Sequence, residues 1–441
     1  MNAQNLAEKV LNTPVIIDSA TLQKALQGVV DYFAASLQAS SQADLHAFKS
    51  WIAKEGGNPT AWLIGQKRLA TARQAALFNG FQAHYLDYDD VHAAVRGYPS
   101  AVILSALFAS IDMSQPQYVN GQRFLTAYII GIEVMARLGK QLNPNHYLKG
   151  WHSTATMGAI AATCAVGYLH QQGSLAQSIA LAATQSSGMR FVFGSPIKPL
   201  HAGLAAQNAV QSIEWIQAGL SLSQNPFDET IGFFPLFGAE KITENWLSHW
   251  GDEWQIHQLW FKTYPYCSAA AGVADLAYEL KNQLVNIDDI KHIELIFHPK
   301  ADAALIYRDV AFPAQGKFSA EYIVASILLG RSLDFRHFEQ SVCNPKIRQL
   351  MAKIDRLYQT HDENTRKVEV HIHLKNGEIQ QAISDYPNGS PMKPYSDAEL
   401  QQKLAATIDD KALYQTFYTD LISLKTGHNL WDFIQQYHLT L

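Results

Sequence analysis

Apolar residues recur at helical spacing through most of the N-terminal part of the chain. Between residues 20 and 38, for example, Leu22, Leu26, Val29 and Phe33 fall on one face of a helix. The same criterion predicts helices over 20–38, 68–85, 99–110, 121–141, 154–171, 175–187, 200–213 and 269–280. The helix over 154–171 is rich in small residues. Because small side chains let helices approach closely, we expect that helix to lie near the centre of the core.

The pattern changes near residue 285, where apolar residues begin to alternate with a period of two, as in strands. Strands are predicted over 293–297, 368–374 and 379–383, the last two joined by a hairpin turn at Asn376-Gly377. Helices are predicted over 319–329 and 344–357. The residues Ser396 to Glu399 have the sequence of a capping box, which predicts further helices from there onward.

The order of these elements predicts a mainly α protein with a smaller α+β domain. Residues 1–258 would form an all-helical domain, and residues 259–395 would form the α+β domain. The helices over 396–441 would pack back on the first domain and make it discontinuous.

Composition excludes several classes of protein. The 441 residues are 48% apolar and 17% charged, which is ordinary for a soluble globular protein. The net charge is −5 and no run is rich in Lys or Arg, so nucleic acid is not an expected partner. The longest apolar run, Ala155 to Leu169, is built from Ala, Gly and Thr, which indicates a core helix and no membrane partner.

The N-terminal residues and the cysteines bear on the cell compartment and on disulfide or zinc binding. Residues 1–12 are polar and lack the apolar centre of a signal peptide, so we expect a cytoplasmic protein. The three cysteines, Cys164, Cys267 and Cys343, are far apart and odd in number. This arrangement favours neither a disulfide framework nor a zinc knot.

Three segments place titratable side chains at a predicted helix start, where free N–H groups favour anions. Lys198 and His201 lie in a segment that opens as a loop, with a glycine and two prolines, and becomes helical at about Leu200. His152 and Ser153 precede the small-residue helix. These segments predict a site for a carboxylate or phosphate; the alternatives are a solvated lysine and histidines that cap helices or bind backbone carbonyls.

The third such segment runs from Lys262 to Ser268 and contains Cys267. A thiol at a helix N-terminus has a lowered pKa and can be reactive, whereas a buried, inert cysteine is the commoner case.

Two clusters of side chains could bind a metal ion. Asp87, Asp89 and Asp90 lie close to His92 and would suit a hard cation, although carboxylates that cap a helix end explain them equally well. His371 and His373 point to one side of a strand and could bind zinc, but a solvated strand face is the commoner arrangement. We predict no metal and no cofactor.

Taken together, several segments resemble the MmgE/PrpD family, which includes dehydratases, a decarboxylase and an epimerase acting on carboxylates. The matching segments are Leu86-Asp87-Tyr88-Asp89-Asp90, Gly150-Trp151-His152-Ser153-Thr154, Lys198-Pro199-Leu200-His201-Ala202-Gly203, Lys262 with Tyr264-Pro265, Lys317-Phe318-Ser319-Ala320-Glu321-Tyr322 and Tyr386-Pro387-Asn388-Gly389-Ser390-Pro391. They cover nearly the whole chain in the family's order.

The resemblance implies a large helical domain, a smaller α+β lid, usually a homodimer, and a cofactor-free site between the domains. It makes Asp87, His152, Lys198 and Lys262 site positions. Two departures stand out: Tyr98 precedes Pro99-Ser100 where the family often has histidine, and Cys267 also stands where the family often has histidine.

The implied reaction is removal of a proton beside a carboxylate of a small di- or tricarboxylate, with loss of water or carbon dioxide, so we predict a lyase. His152 is the expected general base, since its reference pKa is about 6.5. Lys198 and Lys262, with the helix starts at Ser153 and His201, would hold the substrate carboxylates.

The remaining roles are assigned to four side chains. Tyr98 or Cys267 would deliver or return a proton, and Asp87 would orient a catalytic group or act as an acid. His92 would replace a missing histidine in space. An epimerase or isomerase on a similar dicarboxylate, such as iminodisuccinate, stays open, as do a non-catalytic carboxylate-binding protein and a metal hydrolase.

Overall fold

The apolar stripes of the sequence form helices that bury them against one another. The structure is a computed structural model and describes residues 2–239, 245–283, 286–340, 344–360 and 367–441; the prediction for Cys343 therefore lies outside the described residues. The α-helices of the described part are α1 Ala3–Leu11, α2 Ser19–Ala39, α3 Ala43–Glu55, α4 Ala72–His84, α5 Pro99–Ala109, α6 Gly121–Leu142, α7 Asn145–Leu148, α8 Ser153–Leu169, α9 Leu175–Thr184, α10 Ile197–Gln217, α11 Phe233–Phe237, α12 Ala271–Lys281, α13 Pro313–Gly316, α14 Ala320–Leu328, α15 His337–Gln340, α16 Pro345–Met351, α17 Asp397–Ala405, α18 Lys411–Ser423 and α19 Leu430–Tyr437.

The strands of the described part form three small sheets. They are β1 Ala61–Leu63, β2 Arg68–Ala70, β3 Val91–His92, β4 Leu259–Trp260, β5 Ile290–Phe297, β6 Ile354–Tyr358, β7 Val368–Leu374 and β8 Ile379–Ser384. The largest sheet has the order β6-β5-β7-β8. Strand β6 pairs with β5 in parallel, and the other neighbours are antiparallel. The prediction of a mainly α protein with a smaller α+β part is confirmed.

Two hydrophobic cores hold these elements together. The larger core is built from residues between Ala3 and Phe261 and from residues between Leu400 and Leu441. The smaller one lies around the four-stranded sheet and takes its residues mostly from 266–382. The domain boundaries at 258 and 396, and the homodimer, stay predictions. Within the described residues, none of the helices has the length and apolar character that crossing a membrane requires.

Helix α8 lies at the centre of the larger core, as predicted, since every one of its residues from Ser153 to Leu169 is buried. The predicted helix over 20–38 and the predicted strands of the α+β part are also found. The capping box at Ser396 is formed, with the Ser396 and Glu399 side chains bonding each other's backbone N–H groups. Cys164 and Cys267 are buried free thiols.

Several predicted boundaries are wrong, and three of them have a clear physical reason. Helix α10 begins at Ile197 instead of about Leu200, because Pro199 lies in the first turn, where its missing N–H costs nothing. The helix predicted over 344–357 ends at Met351, and the residues from Ile354 form β6, which pairs with β5. The helix predicted from residue 68 begins at Ala72, since Arg68–Ala70 pairs with β1.

Helices α4 and α10 approach each other most closely at two glycines. A Cβ atom on Gly80 would lie 2.7 Å from the Cα of Gly203, and a Cβ on Gly203 would overlap the carbonyl oxygen of Leu77. Both helices carry side chains of the site described below. Because backbone atoms line the contact, no side chain can move aside to make room.

We expect Gly203→Ala to lower the free energy of unfolding by about 1–3 kcal/mol, the usual cost of overpacking. Denaturation in urea measures the change. Gly219→Ala at the C-terminal end of α10 tests a different cause, since a Cβ there meets no atom but the φ angle is +102°. A Gly203→Ala variant as stable as the unmodified chain would contradict the close contact.

Candidate active site

The loop between α4 and β3 forms the base of the site. Its central residue, Asp87, is 3% exposed and has a φ angle of +59°, a left-handed conformation uncommon for residues other than glycine. Strand β3 follows this loop and pairs with β4, with Val91 opposite Trp260. Because β4 ends two residues before Lys262, this pairing brings Lys262 to the loop although 175 positions separate Lys262 from Asp87.

Asp87 binds two lysines at once. Its Oδ1 accepts hydrogen bonds from Lys198 Nζ at 3.0 Å and from Lys262 Nζ at 2.7 Å, and Lys262 Nζ also donates to the Asp87 carbonyl at 2.8 Å. All three side chains are at most 4% exposed. Burial opposes the charge of Asp87, but the two ammonium groups outweigh it and hold the pKa of the Asp87 carboxyl well below its usual range.

His84 extends this ion cluster and was not predicted from the sequence. Lys198 Nζ lies 2.8 Å from His84 Nε2, and His84 Nδ1 lies 2.9 Å from both carboxylate oxygens of Asp89. An ammonium group can only donate, so His84 accepts at Nε2 and donates to Asp89 from Nδ1. Burial, together with the charge of Lys198, lowers the pKa of His84, which fits this neutral tautomer.

Tyr98 covers the cluster. Its ring centre lies 4.3 Å from the Nζ atom of Lys198, 4.3 Å from that of Lys262, and 4.3 Å from the ring centre of His84. Burial and the nearby Asp87 charge raise the pKa of Tyr98 well above its usual value. At neutral pH the phenol therefore keeps its proton.

His152 and His201 form a second pair of interacting side chains. Their Nδ1 atoms lie 3.0 Å apart, so one of the two rings donates to the other. His152 Nε2 is buried and has no hydrogen-bond partner among the residues that the structure describes. Burial, followed by the charge of Lys198, lowers the pKa of His152 well below 6.5, and burial lowers that of His201 to about 4.

A cavity of about 710 Å³ opens in front of these groups and is lined by residues of the helical part, such as Tyr98 and His152, and by residues of the smaller core, such as Cys267 and Phe297. Of the predicted site residues, Tyr98, His152 and Cys267 line it, whereas Asp87, Lys198, Lys262 and His201 lie behind its wall. The described lining residues include Arg96 and Lys300 but no Asp or Glu. The cavity therefore has a positive electrostatic character that suits an anion.

Lys317 adds a third amino group beside the Asp87 loop. Its Nζ donates to the carbonyl of Leu86 at 3.1 Å. Burial lowers the pKa of Lys317 to about 8, although the Asp87 charge raises it. The backbone carbonyl of Lys317 accepts a hydrogen bond from the N–H of Cys267 at 2.9 Å. The Cys267 thiol is buried, and this burial raises its pKa, so it remains protonated at neutral pH.

Two predicted site residues have other contacts. His92 Nε2 lies 3.1 Å from the carbonyl of Gln255, and Ser153 Oγ lies 3.4 Å from His146 Nδ1. Neither side chain lines the cavity. Asp90, which belongs to the acidic cluster seen in the sequence, bonds the N–H and hydroxyl of Ser100.

Among the described residues, His84, Asp87 and Asp89 form a group that could bind a metal ion. One possible metal-binding atom from each residue lies within 4.8 Å of those of the other two. Lys198 Nζ bonds two of these residues, so an ammonium charge already lies where a metal ion would have to bind. On the sheet of the smaller part, His373 Nε2 lies 3.2 Å and His371 Nδ1 3.6 Å from Glu294 Oε2.

The cavity is thus bordered by a buried histidine, a phenol and a thiol, with basic side chains and no Asp or Glu among its described lining residues. The chain matches the family model of the MmgE/PrpD N-terminal domain over residues 4–245 and that of the C-terminal domain over 264–412. The chain belongs to the MmgE/PrpD family.

Several relatives are similar to this chain in sequence along most of their length. A cis-aconitate decarboxylase of Homo sapiens is 24% identical over 436 residues, which cover 93% of this chain and 88% of the relative. The cis-aconitate decarboxylase of Mus musculus is 28% identical over 75% of this chain and 71% of the relative. A cis-aconitate decarboxylase-like protein of Aspergillus oryzae is 22% identical over 84% of this chain and 83% of the relative. The chain is thus an enzyme, a lyase of this family.

Proposed function

We propose that this lyase acts without a cofactor on a small di- or tricarboxylate and breaks a bond beside a carboxylate, with loss of water or carbon dioxide. One observation carries the proposal. His152 Nε2, a buried nitrogen without a partner in the described part of the chain, belongs to a ring that borders a positively charged cavity.

His152 is suited to act as the general base. When its Nδ1–H donates to His201 Nδ1, the lone pair of Nε2 is left to accept a proton. Its lowered pKa keeps the ring neutral at physiological pH. The charge of Lys198 contributes to that lowering, and a bound substrate carboxylate would offset it.

Tyr98 and Cys267 are suited to act as acids. The pKa of each is raised, so each carries a proton to give instead of accepting one. In a dehydration, His152 takes the carbon-bound proton and one of these groups protonates the leaving hydroxyl as the C–O bond breaks. In a decarboxylation, the C–C bond breaks and the acid protonates the resulting carbanion.

The charges around the cavity support a substrate with several carboxylates. Arg96 and Lys300 border the cavity, and the ammonium groups of Lys198 and Lys262 lie behind the Tyr98 ring. Fixed positive charge in a site of low dielectric stabilises the dianion that forms when a proton leaves a carbon beside a carboxylate.

An epimerase or isomerase on a similar dicarboxylate is the second candidate, because Tyr98 and Cys267 border the same cavity as His152. Such an enzyme needs acid–base groups that can act on both faces of one carbon atom. We prefer the lyase because the similar proteins named above are two cis-aconitate decarboxylases and a cis-aconitate decarboxylase-like protein.

Proton NMR in D₂O with a panel of carboxylates tests the proposal. The panel contains citrate, 2-methylcitrate, cis-aconitate, itaconate, tartrate and iminodisuccinate. New vinyl signals are the expected result. Loss of an α-proton signal without a new carbon skeleton would establish the epimerase instead, and binding without any chemical change would establish a non-catalytic carboxylate-binding protein.

The pKa of Lys317 predicts an alkaline limit to activity. As the pH rises through about 8, Lys317 loses its proton and the cluster loses a positive charge. If the charge of Lys317 stabilises the transition state by about 1 kcal/mol, its loss would lower kcat/KM about fivefold between pH 7 and 9.5. Lys317→Arg keeps the charge and should remove this limb of the pH profile.

Lys24→Arg is the matched control, because burial also lowers the pKa of Lys24 to about 8 while its Nζ lies over the Phe261 ring. That variant should keep the alkaline limb. A limb that disappears in Lys24→Arg and persists in Lys317→Arg would contradict the assignment.

A further inference from the structure

Lys403, on α17, the first of the three C-terminal α-helices, reaches the backbone that carries the ion cluster. Its side chain is 6% exposed. Its Nζ donates to Asp31 Oδ1 at 2.6 Å, to the carbonyl of Tyr88 at 2.8 Å and to the carbonyl of Lys262 at 3.2 Å. These acceptors use all three protons of the ammonium group.

Two of the three acceptors belong to the segments that meet at Asp87. Tyr88 directly follows Asp87, and Lys262 is the residue whose ammonium group binds Asp87. The Lys403 ammonium also lies 3.6 Å from the ring centre of Tyr88. Lys403 therefore ties together the two backbone segments whose side chains form the ion pair.

The loop at Asp87 requires such support. A residue other than glycine in a left-handed or otherwise sparsely populated conformation costs about 1–3 kcal/mol, and surrounding contacts must hold it there. Asp87 has a φ angle of +59°. The hydrogen bond from Lys403 to the carbonyl of the following residue is such a contact.

Asp31 on α2 supplies the countercharge. It is 1% exposed, and burial raises the pKa of its carboxyl although Lys403 lowers it. Without Lys403 the pKa of this carboxyl would rise further, which favours its neutral form and limits the cost of leaving it unpaired.

We propose that Lys403 is a positioning residue: it sets the distance and orientation between Asp87 and Lys262 through their backbone and acts on catalysis only through that pair. The inference rests on the proposed function, in which the cluster stabilises the developing charge of the substrate. It assigns a role in the reaction to helix α17, which does not border the cavity.

A double-mutant cycle with Lys403→Met and Lys262→Met tests the inference. A misplacement of about 1 Å can cost about 100-fold in rate, so we expect Lys403→Met to lower kcat/KM about 100-fold. Lys262→Met should cost at least as much, and the double variant should lose no more than Lys262→Met alone. The affinity for citrate, measured by calorimetry, provides the same cycle in a readout that does not require turnover.

Three further variants complete the test. Lys403→Arg should recover part of the loss. Asp31→Asn with Lys403→Met removes the buried pair as a unit and should fold and show the same loss as Lys403→Met. Lys425→Met is the matched control, because Lys425 also lies in the C-terminal segment and binds α2, through Gln23 Oε1 at 3.1 Å, but does not contact the cluster.

The inference is overturned if the losses of Lys403→Met and Lys262→Met multiply in the double variant, or if the folded Lys403→Met variant is fully active. A different result bears on the proposed function alone. If Lys262→Met itself keeps full activity, the cluster has no part in the reaction, whatever Lys403 does.

Discussion

Replacing His152 by glutamine is expected to lower kcat for the loss of water by about 10²–10⁴-fold, the usual contribution of a general base. Glutamine is neutral and close in size to histidine, so the hydrogen bond toward His201 can be kept while the basic nitrogen is lost. Turnover of a substrate identified by NMR measures the effect, and circular dichroism establishes that the variant is folded.

His298→Gln is the matched control for His152. His298 also lines the cavity, but its Nδ1 lies 3.1 Å from the carbonyl of its own neighbour, Pro299. We expect its kcat to be unchanged. Equal losses in the two variants would mean that the cavity depends on histidines in general and that His152 has no special role.

The pH profile provides an independent check on His152. A histidine acts as a base only when it is unprotonated, and the pKa of His152 is lowered well below 6.5. As the pH falls, the loss of kcat/KM, which reports the free enzyme, should therefore begin well below 6.5. A decline centred near 6.5 would indicate an exposed, unperturbed histidine as the base.

Replacing Asp87 by asparagine is expected to destabilise the fold by about 3–5 kcal/mol, since removing one partner leaves buried charge uncompensated. Two ammonium groups would remain without their carboxylate. Asparagine tolerates the left-handed backbone at this position, so the change tests the charge and leaves the loop conformation unstrained. Urea denaturation at pH 7 measures the loss.

A double variant separates the effect of charge imbalance on stability from the effect of side-chain shape. Asp87→Asn combined with Lys198→Met restores the original net charge of the Asp87, Lys198 and Lys262 group, and we expect it to recover part of the stability. Asp252→Asn, at an exposed ion pair with His249, should leave stability unchanged. If the double variant is less stable than Asp87→Asn, charge imbalance is not the cause of the loss.

The stability supplied by Asp87 also has a defined pH dependence. Its folded pKa lies below the unfolded value of about 3.9, so the contribution is complete above that value and is lost as the pH falls through the folded pKa. Acid unfolding of the Asp87→Asn variant should therefore lack this component.

The elements with strong periodicity could be predicted because one face of each is buried. Helix α2 and strands β5, β7 and β8 are found where the apolar pattern places them. The segment after Met351 could not be assigned in this way. Ile347, Leu350, Met351 and Ile354 continue a helical spacing, and only the parallel pairing with β5 makes residues from Ile354 a strand.

The site could be predicted only in part. Lys198, Lys262 and Asp87 stood out as polar residues in matching segments, but nothing in the sequence showed that one carboxylate binds both lysines. His84 lies inside a helical pattern, where a single polar residue on a buried face gives little signal; its position five residues before Asp89 acquires meaning only when the loop folds. Lys403 resembles any lysine on an amphipathic helix.

The two halves of the larger core are separated along the chain by the smaller core, and this order matters during synthesis. A ribosome completes the segments around the four-stranded sheet before Leu400 and Leu404 emerge to join the first core. Helix α17 then brings Lys403 to Asp31. We therefore expect nascent chains to gain activity late and in one step, and a message interrupted before codon 400 to yield no working enzyme.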